Sequence, residues 1–308
     1  MQPLELIQQG KLKRYFRATR KLNSSGLVSH ITQRVAGKEP LFLEESDYLF
    51  MLGLLKEISS NYSLRIFAFC LMQNHIHLLL SPKEENLYDA MRDLFSRYAM
   101  GFNRKYERKG HLFGGPYRQA VCCDDGYLLA ASLYIHLNPV KAGIEEDPTN
   151  YRWSSVRLYA DDDAPKSFVD PDFVLSLLST VKPKKQKEYR RLLMQGSGIE
   201  AGHVLEQEDA VEQFCSTLAS IFPRLFKRID KKKHVAESSG IDLLSMVELD
   251  RRIEDMKNSC FSSRAPESKR AKKFLIEQLI SRGFKRSEIA EKLDMSRKTV
   301  YNIIKSST

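Results

Sequence analysis

Residues 71–80 read LMQNHIHLLL, an apolar strand interrupted by two imidazoles, His75 and His77. Side chains alternate along a strand, so both histidines point to one side while Ile76 and Leu78 point to the other. Upstream lies a second apolar run, residues 64–72 (LRIFAFCLM), separated from 76–81 by Gln73-Asn74. That spacing predicts a tight connection between antiparallel strands. Working outward, residues 27–33 (LVSHITQ) read as a strand and 44–60 as a helix with apolar positions at helical spacing. Residues 86–106 form a second amphipathic helix, GHLFGGPYRQ is a glycine-broken loop, and 120–123 is a short strand. A third helix spans 124–137 and is expected to end before Pro139. The order βαββαβα, with the helices on one face of an antiparallel sheet, predicts an α+β fold of ferredoxin-like type.

The chain has 308 residues, 42% of them hydrophobic, enough for two or three domains with real cores. No apolar run reaches the length of a membrane span, and the basic, polar N-terminus lacks a signal-peptide core, so a cytoplasmic address is expected. Five cysteines (70, 122, 123, 215 and 260) form no zinc pattern and read as reduced thiols. A formal charge of +10 favours polyanionic partners, although a solvated basic surface would carry the same charge. After Trp153 the chain turns acidic and turn-rich at 160–167, and the remainder reads as helical. Softer breaks at 195–202 and just before residue 269 give three expected parts: 1–160, a helical extension and linker over 161–262, and 263–308.

Neutral imidazole is a common ligand of divalent metals, and two on one rigid strand leave coordination positions open. The same pair can equally be a polar strand face. In LYIHLNPVKAG, Tyr134 and Asn138 are four residues apart and share a helical face, while His136 points elsewhere. Asn138 offers an amide oxygen and Tyr134 a phenol beside the same ion. The bland alternatives are a packed tyrosine and a helix cap stopped by Pro139.

These residues carry a resemblance. MQNHIHLLL resembles the HUH motif, and GHLFGGPYRQ, DDGYLL, YIHLNPVKAG and Tyr151-x-Trp153-Ser154-Ser155 resemble, in order, the later signatures of single-tyrosine HUH transposases, especially the REP-associated (IS200-like) tyrosine transposases. The resemblance covers roughly residues 10–160. It implies a metal-dependent endonuclease, using Mg²⁺ or Mn²⁺, that cuts and rejoins single-stranded DNA near small hairpins through a covalent 5′-phosphotyrosine. It further implies that His75 and His77 are metal ligands, Asn138 the third, Tyr134 the nucleophile, and Arg118 a DNA contact. Tyr127, two turns earlier, is the rival nucleophile but lacks the four-residue relation to Asn138. The chain departs from the pattern at Pro116 in GGPYR, often a basic residue in relatives, and in ITQRVAGKEP, where the motif often ends Arg-Gly. The phenol of tyrosine ionises near pH 10, so attack needs help, and no base is visible in the sequence.

Residues 264–308 hold twelve Lys or Arg against five acids. A helix over 269–282 closed by Gly283, a short helix capped by Ser287 and running to Leu293, and a third starting after Ser296 resemble a helix-turn-helix. Ala290 suits a helix crossing, and Ile289, Leu293, Val300 and Ile304 suit its core. Arg297, Lys298, Thr299, Tyr301 and Asn302 are then available to duplex DNA. The charge runs at 182–191 and 228–233 read as solvated helix faces. The expected protein is a nucleoid-associated DNA-strand transferase, monomer or homodimer. Its rival is a non-catalytic regulator that recognises hairpins and a duplex operator.

Overall fold

In the computed structural model, which describes residues 21, 23–37, 39–122, 124–199, 210–239, 244, 246–258, 266–281, 284 and 286–305, the 71–80 stretch turns at its polar pair. Four strands, β1 (Ser29–Arg34), β2 (Leu64–Met72), β3 (His75–Pro82) and β4 (Arg118–Val121), form one antiparallel sheet in the order β2-β3-β1-β4. Three long helices accompany them: α1 (Glu45–Asn61), α2 (Leu87–Lys105) and α3 (Asp125–Lys141). This is the ferredoxin-like α+β topology.

The third helix departs from expectation in two ways. First, it lies on the opposite face of the sheet from α1 and α2. Ile31, Leu71, Ile76, Leu78 and Leu80 pack with Leu55 and Ile58 of α1 and Leu94 and Tyr98 of α2. Phe67, Ala68, Cys70, Met72 and Leu79 pack instead with Leu128, Ala131 and Ile135 of α3. A β-bulge between Ile66 and Ala68 shifts the parity of β2, which puts Ile66 on the same face as Leu71. All of α3 from Asp125 to Pro139 is buried, and a helix apolar all round demands cover on every side. Second, α3 runs through Pro139 and stops two residues later. The stop is Gly143, at φ +68°, where Gly143 N–H donates to Val140 O and Ile144 N–H to Pro139 O. These two bonds are a Schellman closure, for which the left-handed residue matters more than the proline.

The cover comes from the segment beyond Ser155. The helices α4 (Val156–Ala160), α5 (Asp172–Leu175), α6 (Lys182–Ser197), α7 (Ala210–Ile221), α8 (Pro223–Ile229) and α9 (His234–Ser239) contribute Tyr189, Leu192, Phe214, Leu218 and Phe226 to the α3 core. The compact unit accordingly spans 19–240 and does not close at 160. The charge run 182–191 is only half a solvated face, for Lys185 is buried and paired with Asp172 and Tyr189 is in the core. The Tyr151–Ser155 signature serves the fold. Its backbone pairs with the outer edge of β2, with Leu71 N–H donating to Trp153 O and Ser155 N–H to Phe69 O. Tyr151 Oη donates to Leu71 O at 2.7 Å.

The second unit contains α10 (Met246–Asn258), α11 (Pro266–Ser281), α12 (Arg286–Lys292) and α13 (Arg297–Lys305). Leu249, Ile253, Leu275, Leu279, Ile289, Ala290, Leu293, Val300 and Ile303 form its core. Ser296 caps α13, its Oγ accepting Thr299 N–H at 3.0 Å. Ser287 lies within α12 and does not precede it, while Gly283 and the Ile304 side chain lie outside the described residues. Cys70 is a buried free thiol, Cys122 is buried and Cys215 partly exposed. Among the described residues, no helix is long and apolar enough to cross a membrane.

Candidate active site

Strand pairing builds the site. β1 lies beside β3 with Thr32 opposite His77 and Arg34 opposite His75, and beside β4 with Thr32 opposite Arg118. The alternation that puts His75 and His77 on the α3 side of β3 puts His30, Thr32 and Arg34 on the same side of β1. Two short rows result, Arg118-Thr32-His77 and Arg34-His75, both facing α3.

His77 is held by its neighbours. Its Nδ1 stands 2.9 Å from His30 Nε2 and 3.2 Å from Thr32 Oγ1. Its Nε2 is buried and, among the described residues, has no hydrogen-bond partner. Burial first, then the neighbouring His75, holds His30 down to about 4. Burial likewise pushes His77 well below the usual imidazole range, with His75, His30 and Arg34 adding to it and Asn138 opposing. Both rings are therefore neutral near pH 7, the form that binds metal. His75, partly exposed, has Nδ1 2.6 Å from Asn74 Oδ1. The amide oxygen can only accept, so Nδ1 carries the hydrogen and Nε2 the lone pair.

From the facing helix come Tyr134 and Asn138. The Tyr134 ring centroid is 6.0 Å from that of His77 and 6.4 Å from that of His30, and the residue is 2% exposed. Tyr127 sits at the start of α3, its N–H accepted by the capping Asp124, about 10 Å along the axis from Tyr134. Asn138 Nδ2 donates to Tyr134 O at 2.8 Å, which turns Oδ1 toward His77. His136, on another face, is buried between Tyr189 Oη and Ser155 Oγ, each at 2.8 Å, and packing is its role. One turn beyond Asn138 and two beyond Tyr134 on the same helix is Lys141. Its Nζ lies 4.8 Å from the Tyr134 ring centroid and 4.2 Å from that of Phe214 on α7.

Among the described residues no three His, Cys, Asp or Glu side chains converge as a metal cluster. The set that does converge is two imidazoles and one amide. It fits a divalent ion, because the buried Nε2 of His77 has no hydrogen-bond partner among the described residues and the ring lies beside His75 and Asn138. Two nitrogens and one neutral oxygen suit Mn²⁺ better than Mg²⁺, which favours oxygen throughout. Thus the structure brings together His75, His77, Tyr134 and Asn138, with exposed Arg118 two strands away from His77. Arg297, Lys298, Thr299, Tyr301 and Asn302 belong to the other unit, all on the exposed face of α13. Sequence reasoning missed His30, Thr32, Arg34 and Lys141. The first three show a period of two like that of the histidine pair, but only the β1–β3 register reveals that the two patterns meet.

Residues 23–138 match the model of the family described as "Transposase IS200 like". A solved structure described as that of a REP-associated tyrosine transposase bound to a REP hairpin is similar at 14% identity, over 50% of this chain and 94% of that one, with a TM-score of 0.42. No curated protein matches the chain.

Proposed function

Given that residues 23–138 match the IS200-like transposase family, we propose that the chain is an endonuclease and transferase that cuts and rejoins single-stranded DNA beside hairpins. The observation that carries this reading is the meeting of Tyr134 with His77 and Asn138, from two distant stretches of chain, on one buried face. Tyr134, on a helix buried all round, is held rigidly for in-line attack on a phosphate. Its Oη forms a bond to phosphorus, the bond to the 3′-oxygen breaks, and a 5′-phosphotyrosine keeps the energy needed for rejoining. His75 and His77 through Nε2, and Asn138 through Oδ1, would hold Mg²⁺ or Mn²⁺. When bound, the ion offsets charge on the non-bridging phosphate oxygens. His30 and Thr32 fix the His77 ring so that Nε2 faces the site. Arg118, exposed beside these residues, meets the DNA backbone. The second unit binds duplex DNA through α13, presenting Arg297, Lys298, Thr299, Tyr301 and Asn302, and so brings the nuclease to particular loci.

The test is incubation with labelled single-stranded oligonucleotides, each a hairpin with randomised flanks, in Mn²⁺. A protein–DNA adduct that survives denaturation and digests to phosphotyrosine is the expected result. Hairpin binding with no adduct identifies a regulator and overturns the proposal.

A further inference from the structure

Lys141 is placed where lysines rarely rest. A surface lysine extends its stem along apolar groups and keeps its ammonium in water. Here the Nζ atom is buried and, among the described residues, has no hydrogen-bond partner. Its neighbours are two aromatic faces, Tyr134 on its own helix and Phe214 on α7. Ring faces attract a cation but satisfy none of its three N–H donors, and a buried donor without an acceptor is destabilising. Burial lowers its pKa to about 8, so most of the population remains charged at pH 7. The chain thus keeps a desolvated positive charge, short of an anion, seven residues from its candidate nucleophile and on the same helical face.

Resting on the function proposed above, we infer that Lys141 is a phosphate-binding residue of the cleavage site, its ammonium taking a non-bridging oxygen of the scissile phosphate. As Tyr134 Oη bonds to phosphorus, the phosphate oxygens gain charge, and the three N–H donors of Lys141 meet it from a buried, already positioned ammonium. Lys141 keeps its protons throughout. The phenol proton is lost to water, and the electron pair of the breaking P–O bond stays on the 3′-oxygen, which takes a proton from water to become a hydroxyl. Phe214 supplies the second wall that keeps the ammonium against Tyr134. The helical extension is therefore part of the active site as well as of its support.

The experiment measures single-turnover adduct formation with the oligonucleotide that the wild-type protein attacks most readily, for wild type, Lys141→Met and Lys141→Arg. Methionine matches the stem and keeps the ring packing without charge, so Lys141→Met should melt at or above the wild-type temperature, bind Mn²⁺ and hairpin as before, and form adduct roughly a hundredfold more slowly. Lys141→Arg should restore most of the rate, since guanidinium also stacks on rings and binds phosphate. A neutral methylphosphonate at the scissile position should slow the wild type far more than it slows Lys141→Met. Equal rates for wild type and Lys141→Met, or an equal methylphosphonate effect in both, overturn the assignment while leaving the nuclease intact. A lower melting temperature that accounts for the lost rate makes Lys141 a packing residue and overturns it too. Absence of adduct from the wild type itself removes the cleavage reading and the assignment with it.

Discussion

His30 Nε2 and His77 Nδ1 stand 2.9 Å apart inside the sheet, on neighbouring strands and 47 residues apart in sequence. One of the two nitrogens must donate to the other. If His77 Nδ1 donates, its Nε2 holds a lone pair facing the site, so His30 selects the tautomer that can bind metal. Replacing His30 by alanine should weaken Mn²⁺ binding about 10- to 100-fold while His75 and His77 remain. Titration calorimetry or Mn²⁺ electron paramagnetic resonance reads the affinity without any DNA present. Unchanged affinity would show that Thr32 alone, 3.2 Å from the same nitrogen, suffices.

Tyr134→Phe keeps the ring against His77, His30 and Phe214 and deletes only the oxygen. It should bind hairpin and Mn²⁺ like the wild type and give no covalent adduct. Tyr127→Phe should give the adduct. The reverse outcome moves the nucleophile two turns toward the start of α3. His77→Ala should abolish metal-dependent cleavage with hairpin affinity largely kept, because DNA affinity comes chiefly from phosphate and base contacts.

His136 supplies a stability test separate from chemistry. Burial pushes it down to about 3 from the usual 6.5. Between these values the unfolded chain holds the proton and the folded chain does not, so stability falls as pH drops from 6.5 toward 3. The expected slope from this residue is about 1.4 kcal/mol per pH unit. His136→Gln, which can still bond Tyr189 and Ser155, should be less stable at pH 7 yet lose that share of the slope. Denaturant melts from pH 7 to pH 4 compare the two, and parallel curves would place the acid sensitivity elsewhere.

The proposed duplex binding by the C-terminal unit is tested by substitution on α13 and by removal of the unit. Arg297→Ala with Lys298→Ala should weaken duplex binding and reduce the slope of log K against log salt by about 0.9 for each phosphate no longer neutralised. Hairpin cleavage should be unaffected. Truncation near residue 262 would separate α10 from the core it shares through Leu249 and Ile253, so the informative cut comes after Gly240. Unchanged duplex affinity in both variants would assign that binding to the 19–240 unit.

Periodicity alone was enough for every strand, every long helix of the first half and the order in which they occur. It also placed His75 with His77 and Tyr134 with Asn138, because the two-residue and four-residue repeats are properties of one strand and one helix. The helical order of the tail was legible for the same reason, and Ser296 caps α13 as its position predicts. Where Pro139 and Gly143 competed to end α3, the residue able to adopt a positive φ prevailed, and Lys141 thereby stayed on the helix. What no local pattern could decide was which face of the sheet α3 would cover, since a helix apolar on all sides points nowhere by itself. Nor could it decide the register that sets Thr32 opposite His77, or the approach of Phe214 to Lys141. Those are choices among packings, made by burying the α3 surface between the sheet and the extension. The four candidate residues were therefore visible in the sequence, and the groups that orient and charge them became visible only when distant segments closed around them.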